Sequence, residues 1–193
     1  MKKGYAAIGV IIDKSGSMSG LVNDTIGGFN QLLKEQKEAP GEADLTLTLF
    51  DSKVDCKEPK KLSEVQELTN KTYVPGGSTS LLDAIGTTIT KMGKRFADMQ
   101  EDERPEKVLI AIITDGEENT STEFSNDKIR EMIKEQTEKY SWEFQYFGAN
   151  QDSFSVGGSL GLSTGSCANY VSNSIGTRSA YKDMSKSLLK SRA

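Results

Sequence analysis

Tyr5-Ala6-Ala7-Ile8-Gly9-Val10-Ile11-Ile12 runs directly into Asp13-Lys14-Ser15-Gly16-Ser17. The near-continuous apolar run is that of a strand buried on both faces, as the middle of a parallel sheet requires, and the change at Asp13 marks its carboxyl end. Val108 to Ile113 has the same character and is followed by Thr114-Asp115-Gly116. These two runs predict the central strands. Leu45, Leu47 and Leu49 alternate with Thr46 and Thr48, predicting a strand nearer the rim. Asp51-Ser52-Lys53 then turns the chain toward an antiparallel edge strand at Val54 to Glu58. Trp142, Phe144 and Tyr146 mark another alternating strand.

Between the strands the period becomes helical. Val22, Ile26, Phe29 and Leu33 share one face, as do Leu81, Ile85, Ile89, Met92 and Phe96. Ile129, Met132, Ile133 and Tyr140 form a third core-facing stripe, and Tyr181, Met184 and Leu188 a fourth. Ser80 and Asp83 have the spacing of a capping box that starts a helix at Leu81. The Gly/Ser-rich stretch from Ser153 to Ser166 reads as a small-residue helix and loop, followed by a strand at Cys167 to Val171 and a helix at Thr177 to Lys190. Strands alternating with helices predict an α/β fold: a doubly wound, mostly parallel six-stranded sheet with one antiparallel edge strand and helices on both faces. Without repeats or a linker-like segment, residues 1–193 read as a single domain.

Net charge is −4 and the isoelectric point about 5.1, with no dense Lys/Arg stripe, which argues against a nucleic-acid partner. No stretch approaches the ~20 apolar residues of a membrane span, and the apolar run after Lys2-Lys3 meets Asp13 without a small-residue cleavage site. The expectation is a soluble, cytoplasmic protein whose two cysteines, Cys56 and Cys167, are reduced and buried. Histidine is absent, which removes His-based triads, His general bases and His-Cys zinc sites.

Asp13, Ser15 and Ser17 leave the first central strand at alternating positions, and Asp115 leaves the second. In an open α/β sheet, ligands bind beyond the carboxyl ends of strands at the switch in strand order. Pro75-Gly76-Gly77-Ser78-Thr79 reads as a flexible, exposed loop ending just before a helix, from which Thr79 reaches the same crevice. Two carboxylates and three hydroxyls, with no sulfur or imidazole, make an all-oxygen donor set suited to Mg²⁺, Mn²⁺ or Ca²⁺. Neutral hydroxyls fix a cation without cancelling its charge, so it retains attraction for an external anion. Glu117 and Glu118 beside this set read as an exposed acidic turn.

Asp13-Lys14-Ser15-Gly16-Ser17, the threonine in Gly77-Ser78-Thr79-Ser80-Leu81, and Thr114-Asp115-Gly116 resemble the metal-ion-dependent adhesion site of von Willebrand factor A domains, in a compact bacterial or phage form. The resemblance implies that Ser15, Ser17 and Thr79 are metal ligands, and that Asp13 and Asp115 bind directly or through water. It further implies a non-enzymatic module that docks an Asp or Glu of a protein partner on the metal, beside ATPase or chaperone-like associates.

Other signals carry less. Gly161-Leu162-Ser163-Thr164-Gly165 fits a nucleophile elbow but has no histidine to serve it, and no phosphate-binding GK[ST] sequence occurs. The rival reading is a Mg²⁺-dependent phosphotransferase or hydrolase similar to haloacid dehalogenases, with Asp13 as nucleophile. Those enzymes place a second aspartate two residues on, where this chain has Ser15.

Overall fold

A computed structural model describes residues 1–193. Its elements are β1 (Lys2–Asp13), α1 (Val22–Glu38), β2 (Glu42–Phe50), β3 (Val54–Cys56), β4 (Lys60–Lys61), α2 (Leu81–Asp98), β5 (Pro105–Thr114), α3 (Asn126–Tyr140), β6 (Glu143–Gly148), α4 (Ser153–Ser159), β7 (Cys167–Asn169) and α5 (Ser174–Arg192). The sheet order is β3-β2-β1-β5-β6-β7, and every pairing from β2 to β7 along this path is parallel. The outer edge of β2 carries β3 at one end and the two-residue β4 at the other, both antiparallel. The sheet therefore has seven strands in six lanes. The expected edge strand to Glu58 stops at Cys56, although Lys57 N still bonds to Leu47 O, and Pro59 lies in the arch between β3 and β4.

Alternation along β1 sends its side chains to two cores. Ala6, Ile8, Val10 and Ile12 pack with Phe29, Leu32 and Leu33 of α1 and Ala180, Tyr181, Met184 and Leu188 of α5. Ala7 and Ile11 face Leu81, Ile85, Ile89 and Met92 of α2 and Ile129 and Ile133 of α3. Each buried Leu or Ile adds roughly 1.5–3 kcal/mol, so these two faces dominate the driving force for folding. Gly9 lets α2 come close, since a Cβ there would lie 2.6 Å from Ile110 Cδ1 and 3.0 Å from Met92 Sδ.

Several local expectations change. The threonines of β2 are as buried as its leucines, because α2 covers that face, and Thr48 meets Thr88 of α2 through a 2.7 Å hydroxyl bond. Tyr140, read as part of a core stripe, is 52% exposed at the last position of α3, beyond the packed turns. Cys167 is buried but Cys56 only half so, and both are unpaired. Strand β7 is shorter than read, and α5 begins at Ser174, where Asn173 caps it by accepting from Gly176 N. No helix is long and apolar enough to cross a membrane.

The chain passes from β1 to β2 on one side, then crosses to β5 on the other. This switch leaves a crevice between the carboxyl ends of β1 and β5, where Asp13 and Asp115 stand.

Candidate metal centre

Asp13 ends β1 fully buried, and its carboxylate organises the turn that follows. Ser15 N donates to Oδ1 at 2.7 Å, an Asx-type closure that curls the chain back over the strand end. Thr114 Oγ1, at the end of β5, donates to Oδ2 at 2.7 Å. The backbone carbonyl of Asp13 accepts from Tyr73 OH at 2.7 Å. Beyond Ser15 a short 3-10 turn, Gly16–Leu21, drives Met18 into the core and fixes the loop.

Three of the expected residues then meet in one chain of contacts. Ser15 Oγ lies 3.1 Å from Ser17 Oγ, and Ser17 Oγ donates to Asp115 Oδ1 at 2.6 Å. Asp115 is itself buried, with its carbonyl accepting from Asn150 Nδ2 at 3.1 Å.

Thr79 arrives, buried, from a loop that is tied down although Gly77 within it is exposed and Pro75, Gly76 and Ser78 are half-buried. Gly16 N donates to Gly77 O and Gly76 N to Lys14 O, stitching the glycine loop to the Asp13–Ser17 turn, and Gly77 takes the positive φ of 72° that this path needs. Thr79 is 4% exposed, with its backbone N–H bonded to Asn119 Oδ1 and its carbonyl to Asn119 N. Its hydroxyl engages no protein group and lies beside Gly116, where an added Cβ would come within 3.4 Å of Thr79 Oγ1. The expectation of a flexible, exposed loop is corrected at Thr79, which is buried, and in that backbone bonds on both sides tie the loop down, while Gly77 is exposed as expected.

Burial and a neighbouring carboxylate both weigh on the charge of Asp13. Burial pushes the Asp13 carboxyl above its usual range, the bonds from Ser15 and Thr114 oppose this, and the nearby Asp115 charge adds to the rise. Neither aspartate belongs to an ion pair; Lys14, the basic residue within the turn, reaches Asp51 instead at 2.8 Å. Two carboxylates thus sit together without a counter-charge, fixed by hydroxyl and amide donors. No group of three or more carboxylates, thiols or imidazoles in the molecule is arranged to hold a metal ion by itself, so any cation held here would need hydroxyl donors as well.

Other residues serve the site without a sequence motif to announce them. Glu118 is not an exposed acidic turn: its carboxylate accepts from the backbone of Leu82, Thr120 and Ser121 and from the Ser121 hydroxyl. Asp83 accepts from the N–H groups of Thr122, Glu123 and Phe124. Helix α2 therefore does begin at Leu81, but without the expected capping box. Its first N–H groups are taken by Glu118 and Ser121, while Ser80 bonds to Thr120. Ser172, ahead of α5, adds a hydroxyl 3.5 Å from Asp115 Oδ2. Only Thr114, adjacent to Asp115 in sequence, carried a signal that could have been read, namely a hydroxyl at the strand end.

No protein-family model matches the sequence, and no curated relative matches it. Solved structures do. The ArnB paralog VWA2 from Sulfolobus acidocaldarius is 20% identical with a TM-score of 0.58, covering 98% of this chain and 45% of that one. Manganese-loaded TRAP of Plasmodium vivax is 14% identical with a TM-score of 0.58, covering 92% and 73%. Proximal thread matrix protein 1 from the mussel byssus, with a zinc-occupied adhesion-site motif, is 14% identical with a TM-score of 0.63, covering 96% and 46%. The chain shares the von Willebrand factor A fold with these proteins. It spans less than two thirds of VWA2, of the mussel protein and of a Streptococcus sanguinis minor pilin that matches similarly.

Proposed function

We propose that the chain is a divalent-cation-dependent protein-binding module. Asp13, Ser15, Ser17, Thr79 and Asp115 would hold one Mg²⁺ or Mn²⁺, and an Asp or Glu from a protein partner would complete its coordination. The observation that carries this reading is the convergence of Ser15, Ser17 and Asp115 through bonds of 3.1 and 2.6 Å at a strand-order switch, beside an unengaged Thr79 hydroxyl. All-oxygen donors suit hard cations. The zinc and manganese named for two proteins of the same fold support a metal here, and leave its identity to chemistry.

When bound, the ion supplies an electropositive docking point. The chain's own residues do the rest: Thr114 and Ser15 N hold the Asp13 carboxylate in place, and Ser17 spans the gap to Asp115. Both Asp13 oxygens already accept hydrogen bonds, and position 15 offers a hydroxyl where a phosphotransferase would need an acid. Binding without turnover is the reading these contacts support. Two unpaired cysteines fit a reducing compartment, and we place the protein in the cytoplasm.

The test is affinity capture on the immobilised full chain, once with Mg²⁺ and once with chelator. A partner retained only with Mg²⁺, and released when its own critical carboxylate is changed to an amide, is the expected result. Equal capture under both conditions would overturn cation-dependent docking.

A further inference from the structure

From Ser153 to Thr177 the chain contains no Asp, Glu, Lys or Arg, although 27% of all its residues are charged. The stretch is not core. Thirteen of its twenty-five residues are exposed. Solvated surface ordinarily carries charge, whereas depletion of charge with retained apolar anchors marks the centre of protein interfaces. The stretch comprises α4, β7 and the first turn of α5, all at or near the carboxyl end of the sheet.

It adjoins the candidate metal centre directly. Ser172 Oγ is 3.5 Å from Asp115 Oδ2, Tyr170 N donates to Gly148 O, and Ser153 N donates to Asn169 Oδ1, so the loops after β6 and β7 are tied together beside Asp115. Three of the molecule's six exposed large apolar residues lie here: Phe154, Val171 and Ile175, the last 82% exposed. The exposed carboxylate of Glu117 follows Asp115 at one residue's remove.

We propose that this uncharged shelf, anchored by Phe154, Val171 and Ile175, is the partner-binding surface beside the metal centre. The segment it accepts carries an Asp or Glu flanked by an apolar side chain. This rests on the reading of the centre as a cation-held carboxylate receptor. Charge selects the occupant: Asp115 and Glu117 repel a carboxylate everywhere except on the cation. The shelf's own residues carry no charge, and the charges at its border, Asp24 and Arg178, are already paired with each other beside Ser174, so a flanking Lys or Glu would be desolvated there with little compensation. Val171 is next to Ser172, which touches Asp115, so the apolar flank falls within a few residues of the carboxylate at ~3.3 Å per extended residue. Exposed Ser, Asn and backbone groups of the shelf supply neutral hydrogen bonds to such a segment.

A library of short displayed peptides with one fixed central Asp, otherwise random, tests this on the full chain. Selection is done with Mn²⁺ and elution with chelator, and Mn²⁺ alone is titrated into the same preparation by calorimetry. The expected outcome is enrichment of Phe, Leu, Ile or Val near the Asp in the chelator-eluted pool. Val171→Ser with Ile175→Ser should then weaken a selected peptide by about tenfold, the loss expected for an apolar contact of this size. Ile175→Ser alone, at an exposed position, should show part of that loss. Chelator-eluted peptides with no apolar preference would overturn the shelf and leave the carboxylate receptor standing. No chelator-eluted peptides at all would overturn both, and the Mn²⁺ titration then reports whether the ion site exists without a docking role.

Discussion

The hydroxyl of Ser17 donates to Asp115 Oδ1 at 2.6 Å, joining residues 98 positions apart at the ends of β1 and β5. This bond spans the crevice at the strand-order switch with a neutral group, which brings no counter-charge to either carboxylate. Calorimetry should find one Mg²⁺ or Mn²⁺ site per chain, lost in Asp13→Ala. Undiminished binding in that variant would remove Asp13 from the site.

Thr114 gives a sharper test, because it acts through Asp13. It is fully buried, and its hydroxyl holds Asp13 Oδ2. Groups that orient a ligand typically change metal affinity by about ten- to a hundredfold when removed. Thr114→Val should lower ion affinity by that order, with the number of sites unchanged in the same titration. An unaltered affinity would mean that Asp13 does not need to be held.

Catalysis should be absent. A screen of generic phosphomonoester and phosphodiester substrates with Mg²⁺ or Mn²⁺ should show no turnover, since Asp13 is engaged at both oxygens and no histidine exists to move a proton. Turnover abolished by Asp13→Asn would restore the phosphotransferase reading.

The two central strands and the four long helices were legible because their periods are strong: β1 and β5 are apolar throughout, and α2 repeats its stripe over eighteen residues. Ser15, Ser17 and Asp115 were legible because spacing at strand ends carries them together. What stayed hidden depends on distant partners. Ser80 and Asp83 have a capping-box spacing, yet the loop after Asp115 supplies Glu118 and Ser121 as stronger local partners for the helix start. Thr79 looked exposed because Gly and Ser surround it, and Asn119, forty residues on, buries it. The burial of Thr46 and Thr48 required knowing that α2 covers β2.

Asp83 holds the loop that carries Glu118 against α2. Its carboxylate accepts three backbone N–H bonds, and Phe124 packs so closely on α2 that a Cβ on Gly86 would lie 2.5 Å from its ring. Asp83→Ala leaves those donors unpaired and should cost about 2–4 kcal/mol in denaturant unfolding. Gly86→Ala should destabilise by about 1–3 kcal/mol through overpacking. Wild-type midpoints in both would show that this loop is not held as the bonds indicate.

Thr79 separates ion docking from folding. Its hydroxyl bonds to no protein group, while its backbone is fixed by Asn119 and its side chain is almost wholly enclosed. Thr79→Val keeps the branched shape and removes only the hydroxyl, so the stability loss should stay within about 1 kcal/mol. A lost coordination contact at a desolvated interface is worth more: a peptide or protein docked through the cation should bind about ten- to a hundredfold more weakly, equivalent to roughly 1–3 kcal/mol. Thr79→Ser restores an oxygen at that position and should recover most of the affinity, which a purely structural role of the methyl group would not predict. Affinity measured with Mg²⁺ and with chelator, for wild type and both variants, alongside a melting curve for each, decides the matter. Equal affinity across all samples, with every variant folded, would place the docking point on another face of the domain.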